Sequence, residues 1–212
     1  MMIRENEKIF VIDDDESVRR SLPLLLKTMD YEVETFSSSE EFLNSKQFNG
    51  SGCIILDINL EGKSGLELQD ELLKNPYHLP IIFITGKGKV PESVQAVKKG
   101  AVDFLQKPFD DEQLLKAVEE AVAKSRNWKK EFDEQMEAKD KIDKLTQREL
   151  EVLKYVITGM LNKQIANELN IAEHTVKIHR GKITEKIGVK SVAELVRIAE
   201  QAGIQPLYTK IS

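Results

Sequence analysis

The sequence predicts two folded units in one chain of 212 residues: an α/β unit with a parallel sheet, followed by an all-α unit. In the first 110 residues, short apolar runs rich in β-branched residues alternate with amphipathic stretches. This alternation is typical of a doubly wound parallel sheet. The last 68 residues show only helical periodicity, with two short helices joined by a tight turn. Two helices joined in this way predict a helix-turn-helix.

Five apolar runs provide the predicted strands, and each is followed by a predicted helix. Ser38 with Glu41 has the spacing of a capping box at a helix start, and Asp110 with Gln113 resembles another. We expect five strand–helix units that end near residue 125. The predicted strands are Ile9–Ile12, Val33–Phe36, Cys53–Leu56, Ile81–Ile84 and Val102–Leu105.

A charged stretch without glycine or proline joins the two predicted units. We therefore divide the chain into residues 1–123, a helical linker at 124–144, and residues 145–212. Trp128, Phe132 and Met136 follow one another at intervals of four residues. This stripe predicts either an exposed helix that covers part of its own domain or a short coiled coil between two protomers.

The C-terminal residues predict four helices. Thr146 and Glu149 form a capping box for the first, which ends at Gly159. The next two helices are predicted over Asn162–Leu169 and Glu173–Ile187, and the last from Ser191 to Gly203.

Composition excludes several classes of protein. Cys53 is the only cysteine, which excludes an intramolecular disulfide and fits a reducing cytoplasm. No apolar run reaches the roughly 20 residues that a membrane span needs. With no signal-peptide core at the N-terminus, we expect a soluble intracellular protein without a membrane partner.

The net charge of −5 argues at first against a nucleic-acid partner. It divides unevenly, however, into −8 for residues 1–125, zero for 126–144 and +3 for 145–212. The basic excess therefore lies in the predicted helix-turn-helix unit, where nucleic acid would bind.

Polar residues follow the predicted strands where parallel strands place a ligand site. Asp13, Asp14 and Asp15 follow the first strand, Asp57 the third, Thr85 the fourth and Lys107 the fifth. Converging carboxylates need a cation, and oxygen ligands alone favour Mg²⁺. A carboxylate beside Mg²⁺ and a lysine is equipped to accept a phosphoryl group. The simpler explanation, that these are capping and turn residues, suits Asp15 and Asp110 alone.

These residues resemble the CheY-like receiver domain of two-component response regulators over about the first 120 residues. The motifs that carry the resemblance are Val11–Val18 (VIDDDESV), Ile55–Leu60 (ILDINL), Ile84–Gly86 (ITG) and Gly100–Phe109 (GAVDFLQKPF).

The resemblance implies a role for each matching residue. Asp57 would be the phosphorylation site, assisted by Thr85 and Lys107. Asp13, Asp14, Asp57 and the carbonyl of Asn59 would hold Mg²⁺. Thr85 and Phe104 would form the switch pair. Asn59 and Lys87 occupy the positions that modulate hydrolysis of the phospho-aspartate, and Glu61-Gly62 replaces a common Pro-Gly turn.

The longest C-terminal helix has two distinct faces. Val176, Arg180, Ile183 and Ile187 share the face that would pack inward. The other face suits a major-groove reader, in which lysine contacts guanine or phosphate and an apolar side chain meets a thymine methyl. The predicted DNA-contacting residues are Asn162, Lys163, His174, Thr175, Lys177, Ile178, Gly181 and Lys182.

The C-terminal residues resemble the LuxR-type helix-turn-helix, and the whole chain resembles FixJ/NarL regulators. Leu145–Leu153 (LTQRELEVL), Asn162–Leu169 (NKQIANEL) and His174–Arg180 (HTVKIHR) carry the resemblance. Ala172 replaces the usual serine cap of the recognition helix. The resemblance implies dimerisation through the last helix, although these side chains could instead close the core of the domain. The candidates are Val192, Leu195, Val196 and Ala199.

The resemblance implies a cytoplasmic transcription factor that catalyses only its own phosphotransfer and slow autodephosphorylation. A sensor histidine kinase would phosphorylate Asp57, and the resulting homodimer would bind promoter half-sites in double-stranded DNA. RNA polymerase is a further candidate partner. Two alternatives remain open: a phosphatase of the haloacid-dehalogenase type with Asp13 as nucleophile, and a receiver whose output binds RNA or protein.

Overall fold

The structure, a computed structural model, describes residues 6–46, 48–86, 96 and 98–207. The chain forms two compact units, Met1–Lys130 and Glu131–Ser212. No helix within the described ranges is long and apolar enough to cross a membrane.

The first unit is built on a parallel five-stranded sheet, as predicted. The strand order is β2-β1-β3-β4-β5, so that β1 and β3 lie at the centre. Each strand lies within two residues of its predicted bounds. The strands are β1 (Glu7–Ile12), β2 (Glu32–Phe36), β3 (Ser51–Asp57), β4 (Ile81–Thr85) and β5 (Asp103–Gln106).

Capping residues begin the helices of the first unit. Asp15 accepts a hydrogen bond from the Ser17 backbone N–H at 2.8 Å and so caps α1 (Glu16–Lys27). Ser38 caps α2 (Ser39–Leu43), but the Glu41 carboxylate binds the Ser37 N–H, so the predicted box is only half formed. Helix α3 spans Gly65–Leu72 and α4 spans Asp111–Ile142. Lys87, predicted to modulate phosphate hydrolysis, lies outside the described residues.

Apolar clusters cover both faces of the sheet. One cluster joins α1 and α4 to the sheet, with Leu26 and Leu114 fully buried. The other joins α3 to the opposite face, with Leu68 fully buried. Cys53 lies in the first cluster, where burial raises the pKa of its thiol, so the side chain packs as a small apolar group.

Helix α4 has 32 residues and contributes to both units. At about 1.5 Å per residue it is about 48 Å long. In the first unit, the Trp128 ring packs edge-on against His78 with 5.5 Å between centroids. In the second unit, Ala138 and Ile142 are buried in the helical core. The predicted linker is therefore part of one continuous helix.

The second unit is all-helical, and its central helices match their predicted bounds. The helices are α5 (Gln147–Val156), α6 (Asn162–Leu169), α7 (Glu173–Ile187) and α8 (Val192–Gln201). Thr146 and Glu149 form the predicted capping box of α5. Asn170 has a φ of +50° at the turn between α6 and α7, a conformation that asparagine tolerates better than most residues. This turn completes a helix-turn-helix.

Candidate functional site

Three carboxylates meet at the carboxyl edge of the sheet. Asp13 follows β1 and is fully buried, Asp57 ends β3 and is 6% exposed, and Asp14 is exposed. One oxygen atom from each lies within 4.8 Å of the others. Hard oxygen donors at this spacing fit Mg²⁺, which binds through a few carboxylates and completes its shell with water or phosphoryl oxygens. The site is thus of the kind that binds Mg²⁺.

Lys107 stands between two of these carboxylates. Its ammonium group donates to Asp13 Oδ2 at 2.6 Å and to Asp57 Oδ2 at 2.9 Å. Burial lowers the pKa of Lys107, but the hydrogen bonds to the two carboxylates outweigh burial and raise it overall. Burial raises the pKa of Asp13, although Lys107 opposes that shift. Lys107 therefore offsets part of the negative charge of the three carboxyl groups.

A polar chain connects Asp57 with Thr85. Asp57 Oδ1 accepts a hydrogen bond from the Asn59 backbone N–H at 3.0 Å. The Asn59 side-chain amide donates in turn to Thr85 Oγ1 at 3.0 Å. Thr85 is fully buried at the end of β4, and the half-buried Phe104 lies on the neighbouring strand β5. The predicted acceptor, metal and switch residues thus surround one edge of the sheet.

Two further features of the chain lie near the carboxylates. Arg19 was not predicted, yet its guanidinium donates to the Asp13 carbonyl at 2.7 Å and ties α1 to the loop after β1. Arg19 lies one turn into α1, four residues after the capping Asp15, and this spacing is the sequence feature that could have predicted its contact with the loop. Asp15 itself is exposed and serves as a cap, as expected. Gly62 has a φ of +80°, which explains a glycine in the loop after Asp57.

The faces of α7 divide as the helical periodicity predicts. Val176, Ile183 and Ile187 are buried. The half-buried Arg180 donates to Asn162 Oδ1 at 3.1 Å and to the Met160 carbonyl at 3.4 Å, which ties the middle of α7 to the start of α6. On the opposite side, Thr175 is half-buried and the remaining predicted contact residues are exposed: His174, Lys177, Ile178, Gly181 and Lys182.

The start of α6 adds further polar groups at the same end of the helix-turn-helix. Lys163 is exposed, whereas Asn162 is half-buried and has its oxygen engaged by Arg180. Ala172 precedes α7 without a side-chain cap, as the sequence indicates. The N-terminus of α7 therefore lacks the stabilising hydrogen bond that most helices receive there.

The four dimerisation candidates on α8 differ in exposure. Leu195 and Ala199 are 2% and 0% exposed and belong to the core of the helical unit. These two side chains close the domain, because a buried side chain cannot reach a second molecule. Val192 is 45% exposed and Val196 is half-buried. Of the four candidates, these two offer apolar surface on α8.

The phosphatase alternative has no support in the site. Asp13, its proposed nucleophile, is fully buried, with Oδ2 bound to Lys107 and Oδ1 bound to the Asp15 backbone N–H at 2.9 Å. With no exposed surface, Asp13 is closed to a phosphorylated substrate, whereas Asp57 is 6% exposed.

Comparisons with known families agree with this arrangement. Residues 9–119 match the response regulator receiver domain, and residues 143–199 match the luxR family of bacterial regulatory proteins. Nodulation protein W of Bradyrhizobium diazoefficiens is 44% identical over 202 residues, covering 95% of this chain and 89% of that protein. The transcriptional regulatory protein FixJ of Azorhizobium caulinodans is 40% identical, covering 95% of this chain and 96% of FixJ.

Solved structures give the same result. The response regulator StyR matches with a TM-score of 0.80 and 42% identity, covering 92% of this chain and 99% of StyR. Full-length FixJ from B. japonicum matches with a TM-score of 0.52 and 34% identity, covering 93% and 97% of the two chains. The chain therefore belongs to the two-component response regulators that join a receiver domain to a LuxR-type DNA-binding domain, the family of FixJ, nodulation protein W and TodT.

Proposed function

We propose that Asp57 accepts a phosphoryl group from the phosphohistidine of a partner kinase. A carboxylate oxygen of Asp57 attacks phosphorus, the new P–O bond forms, and the P–N bond breaks with its electron pair going to the histidine ring. The observation that carries the proposal is the position of the Asp57 carboxylate, held by Lys107 and Asn59 and flanked by Asp13 and Asp14.

The surrounding residues provide the charge balance for this step. Asp13, Asp14, Asp57 and the Asn59 carbonyl would hold Mg²⁺, which neutralises phosphoryl oxygens when bound. Lys107 keeps its positive charge because two carboxylates raise its pKa, and it can transfer a hydrogen bond from Asp57 to the phosphoryl group. Catalysis then consists of positioning and charge neutralisation.

Thr85 and Phe104 would convert phosphorylation into a change of surface. The Thr85 hydroxyl, which accepts from Asn59, would turn to donate to the phosphoryl oxygens. Phe104 would then move inward, and the adjoining face of the receiver would become a dimer surface. In this scheme Val192 and Val196 extend the contact between protomers on α8.

The dimer would place two copies of α7 on neighbouring DNA half-sites. Lys177 and Ile178 lie exposed at the middle of the outer face and would read bases. Contacts with phosphates and sugars would position the helix without reading sequence. The residues proposed for these supporting contacts are Asn162, Lys163, His174, Thr175, Gly181 and Lys182.

Labelled acetyl phosphate tests the acceptor assignment. With Mg²⁺, the wild-type protein should acquire an acid-stable, alkali-labile label, and Asp57→Asn should acquire none. Asp15→Asn is the matched control, because Asp15 lies close by but caps α1. Asparagine also caps helices, so this variant should label like the wild type. Labelling that persists in Asp57→Asn would assign the phosphoryl group to another residue.

A binding titration tests the DNA-reading face. Lys177→Ala should weaken binding to a duplex selected by the wild-type protein by about 1–3 kcal/mol. Lys139→Ala, which removes an exposed lysine from α4, should bind with wild-type affinity. Equal affinities for Lys177→Ala and the wild type would remove Lys177 from the reading face.

A further inference from the structure

The first turn of α5 contacts both helices of the helix-turn-helix through charged side chains. The Arg148 guanidinium donates to the Leu169 carbonyl, at the end of α6, with a distance of 3.1 Å. The next residue, Glu149, accepts a hydrogen bond from Lys186 Nζ, in the last turn of α7, at 2.6 Å. Neither Arg148 nor Glu149 belongs to the proposed DNA-contacting set.

The contact with α7 is an ion pair between a buried carboxylate and an exposed lysine. Glu149 is 3% exposed, and its Oε2 also accepts from the Thr146 backbone N–H at 2.8 Å. The hydrogen bond from Lys186, followed by that from Thr146, lowers the pKa of Glu149 to about 2. The carboxylate is therefore charged at every physiological pH. Loss of Lys186 would remove the cation that compensates this buried carboxylate.

The contact with α6 lies where the chain turns toward the recognition helix. Leu169 is the last residue of α6, and its carbonyl belongs to the group that a helix C-terminus leaves without an intrahelical donor. Asn170 follows with the positive φ that reverses the chain. Arg148 also donates to Glu151 Oε2 at 2.7 Å, which fixes the direction of its guanidinium.

We infer that Arg148, Glu149 and Lys186 are positioning residues for base recognition: they fix α7 from both ends without touching DNA. The turn held by Arg148 precedes α7, and Lys186 lies nine residues beyond Lys177, a distance of about 13.5 Å along a helix. The proposed reading residues Lys177 and Ile178 lie between these two fixed points. The inference depends on the DNA binding proposed above.

Base contacts and phosphate contacts respond differently to a shift of the helix. Bidentate contacts with base edges lose strength over a few tenths of an ångström and a few tens of degrees. Attraction between a flexible lysine and a phosphate tolerates such shifts, because it is mainly Coulombic. A positioning residue therefore affects discrimination between sequences more than it affects nonspecific affinity.

The test compares two duplexes of equal length, one selected by the full-length wild-type protein from a random pool and one with the scrambled sequence. Lys186→Gln should lower the ratio of specific to nonspecific affinity about tenfold, equivalent to losing one base contact. Lys186→Arg keeps the charge and should restore most of the ratio. Lys139→Gln removes an exposed charge elsewhere and should leave the ratio unchanged.

The dependence on salt separates positioning from direct contact. Lys186→Gln should keep the wild-type slope of log affinity against log salt concentration, whereas Lys182→Gln should reduce the slope by about 1. Arg148→Gln is a second variant and should show the same loss of discrimination between the two duplexes. Circular dichroism checks that this variant is folded.

Each other outcome overturns the inference. If Lys186→Gln loses affinity equally for the two duplexes, Lys186 affects only the fraction of protein that is folded. A reduced salt slope would make Lys186 a phosphate contact, and an unchanged ratio would give it no role in recognition. If the wild type selects no sequence, the proposed DNA recognition fails together with the inference. If it does select a sequence, failure is confined to the positioning role.

Discussion

The three carboxylates at the sheet edge repel one another in the absence of a divalent cation. Lys107 bonds to Asp13 and Asp57, but Asp14 receives no bond from it. The three oxygen atoms lie within 4.8 Å of one another, a range at which two unit charges in water repel by about 1 kcal/mol. The receiver should therefore gain stability either when a cation binds or when one carboxylate is removed.

We expect Asp14→Asn to raise the free energy of unfolding of the receiver by about 1 kcal/mol without Mg²⁺, because it removes one of three repelling charges. The variant should also lose most of the stabilisation that Mg²⁺ gives the wild type by binding to the folded state. Urea unfolding followed by the fluorescence of Trp128, the only tryptophan, measures both effects.

Asp15→Asn is the control for this measurement, because it changes the same charge in the same loop but keeps a capping side chain. It should respond to Mg²⁺ like the wild type. An Asp14→Asn variant that is still stabilised by Mg²⁺ to the wild-type extent would remove Asp14 from the metal site.

Glu149 makes the stability of the helical unit depend on acid pH. Its pKa is about 2 in the folded protein and 4.5 as an ordinary side chain. The folded state therefore binds fewer protons than the unfolded state between these values. The stabilisation is complete above about pH 4.5 and is lost as the pH falls toward 2.

Glu149→Gln should accordingly destabilise the helical unit by about 1–3 kcal/mol at pH 6, because it removes the charged acceptor of the hydrogen bonds from Lys186 and Thr146. The difference from the wild type should shrink as the pH falls from 4.5 toward 2. Circular dichroism during urea unfolding at several pH values measures it. Glu185→Gln changes an exposed residue of α7, and its free energy of unfolding should stay within about 0.5 kcal/mol of the wild-type value at every pH. If Glu149→Gln loses the same stability at every pH, the contribution of Glu149 comes from packing alone and not from its charge.

Among the elements, α7 begins without a side-chain cap, and this weakness can be corrected. The backbone of Ala172 already has the extended conformation of a cap residue, with φ −68° and ψ 143°. A serine there should accept a hydrogen bond from the first turn of α7. We expect Ala172→Ser to stabilise the helical unit by about 1 kcal/mol, measured as a shift in its urea unfolding midpoint.

Ala193→Ser provides the comparison, because it introduces the same side chain inside the first turn of α8, where Ser191 already caps. Ala193→Ser should give no gain in stability, since serine is a weaker helix former than alanine. Equal gains at the two positions would show that capping is not the cause.

The sequence predicts the elements of this protein better than it predicts their connections. Strand runs and capping residues act over a few positions, so β1, α5, α6 and α7 can be identified from local patterns. The bond between Glu149 and Lys186 joins residues 37 positions apart, and nothing local indicates it. The packing of Ala138 and Ile142 into the helical core was missed for the same reason, since their burial depends on helices that follow.

The same limit applies at the receiver site. The carboxyl ends of parallel strands bring Asp13, Asp57 and Thr85 together, and topology alone predicts that arrangement. The hydrogen bond from Asn59 to Thr85 depends instead on the conformation of the loop after β3. Because that loop departs from the usual Pro-Gly turn at Glu61-Gly62, its geometry had to come from the structure.

Charge is divided unevenly between the two units of the chain. The acidic excess lies in residues 1–125 and the basic excess of +3 in residues 145–212. A single DNA-binding unit with so small a net charge binds phosphates weakly. Phosphorylation would thus act on affinity by combining two weakly binding units in one complex.

The small number of cationic phosphate contacts in each DNA-binding unit predicts how DNA binding depends on salt. With Lys163 and Lys182 as the cationic phosphate contacts, one protomer neutralises about two phosphates and gives a slope of log affinity against log salt of about −2. Protein treated with acetyl phosphate and Mg²⁺ should bind as a dimer and give about −4. Asp57→Asn, treated identically, should keep the lower slope. If treated wild-type protein binds more tightly at an unchanged slope, phosphorylation would instead release a masked DNA-binding unit, because unmasking one unit adds affinity without adding phosphate contacts.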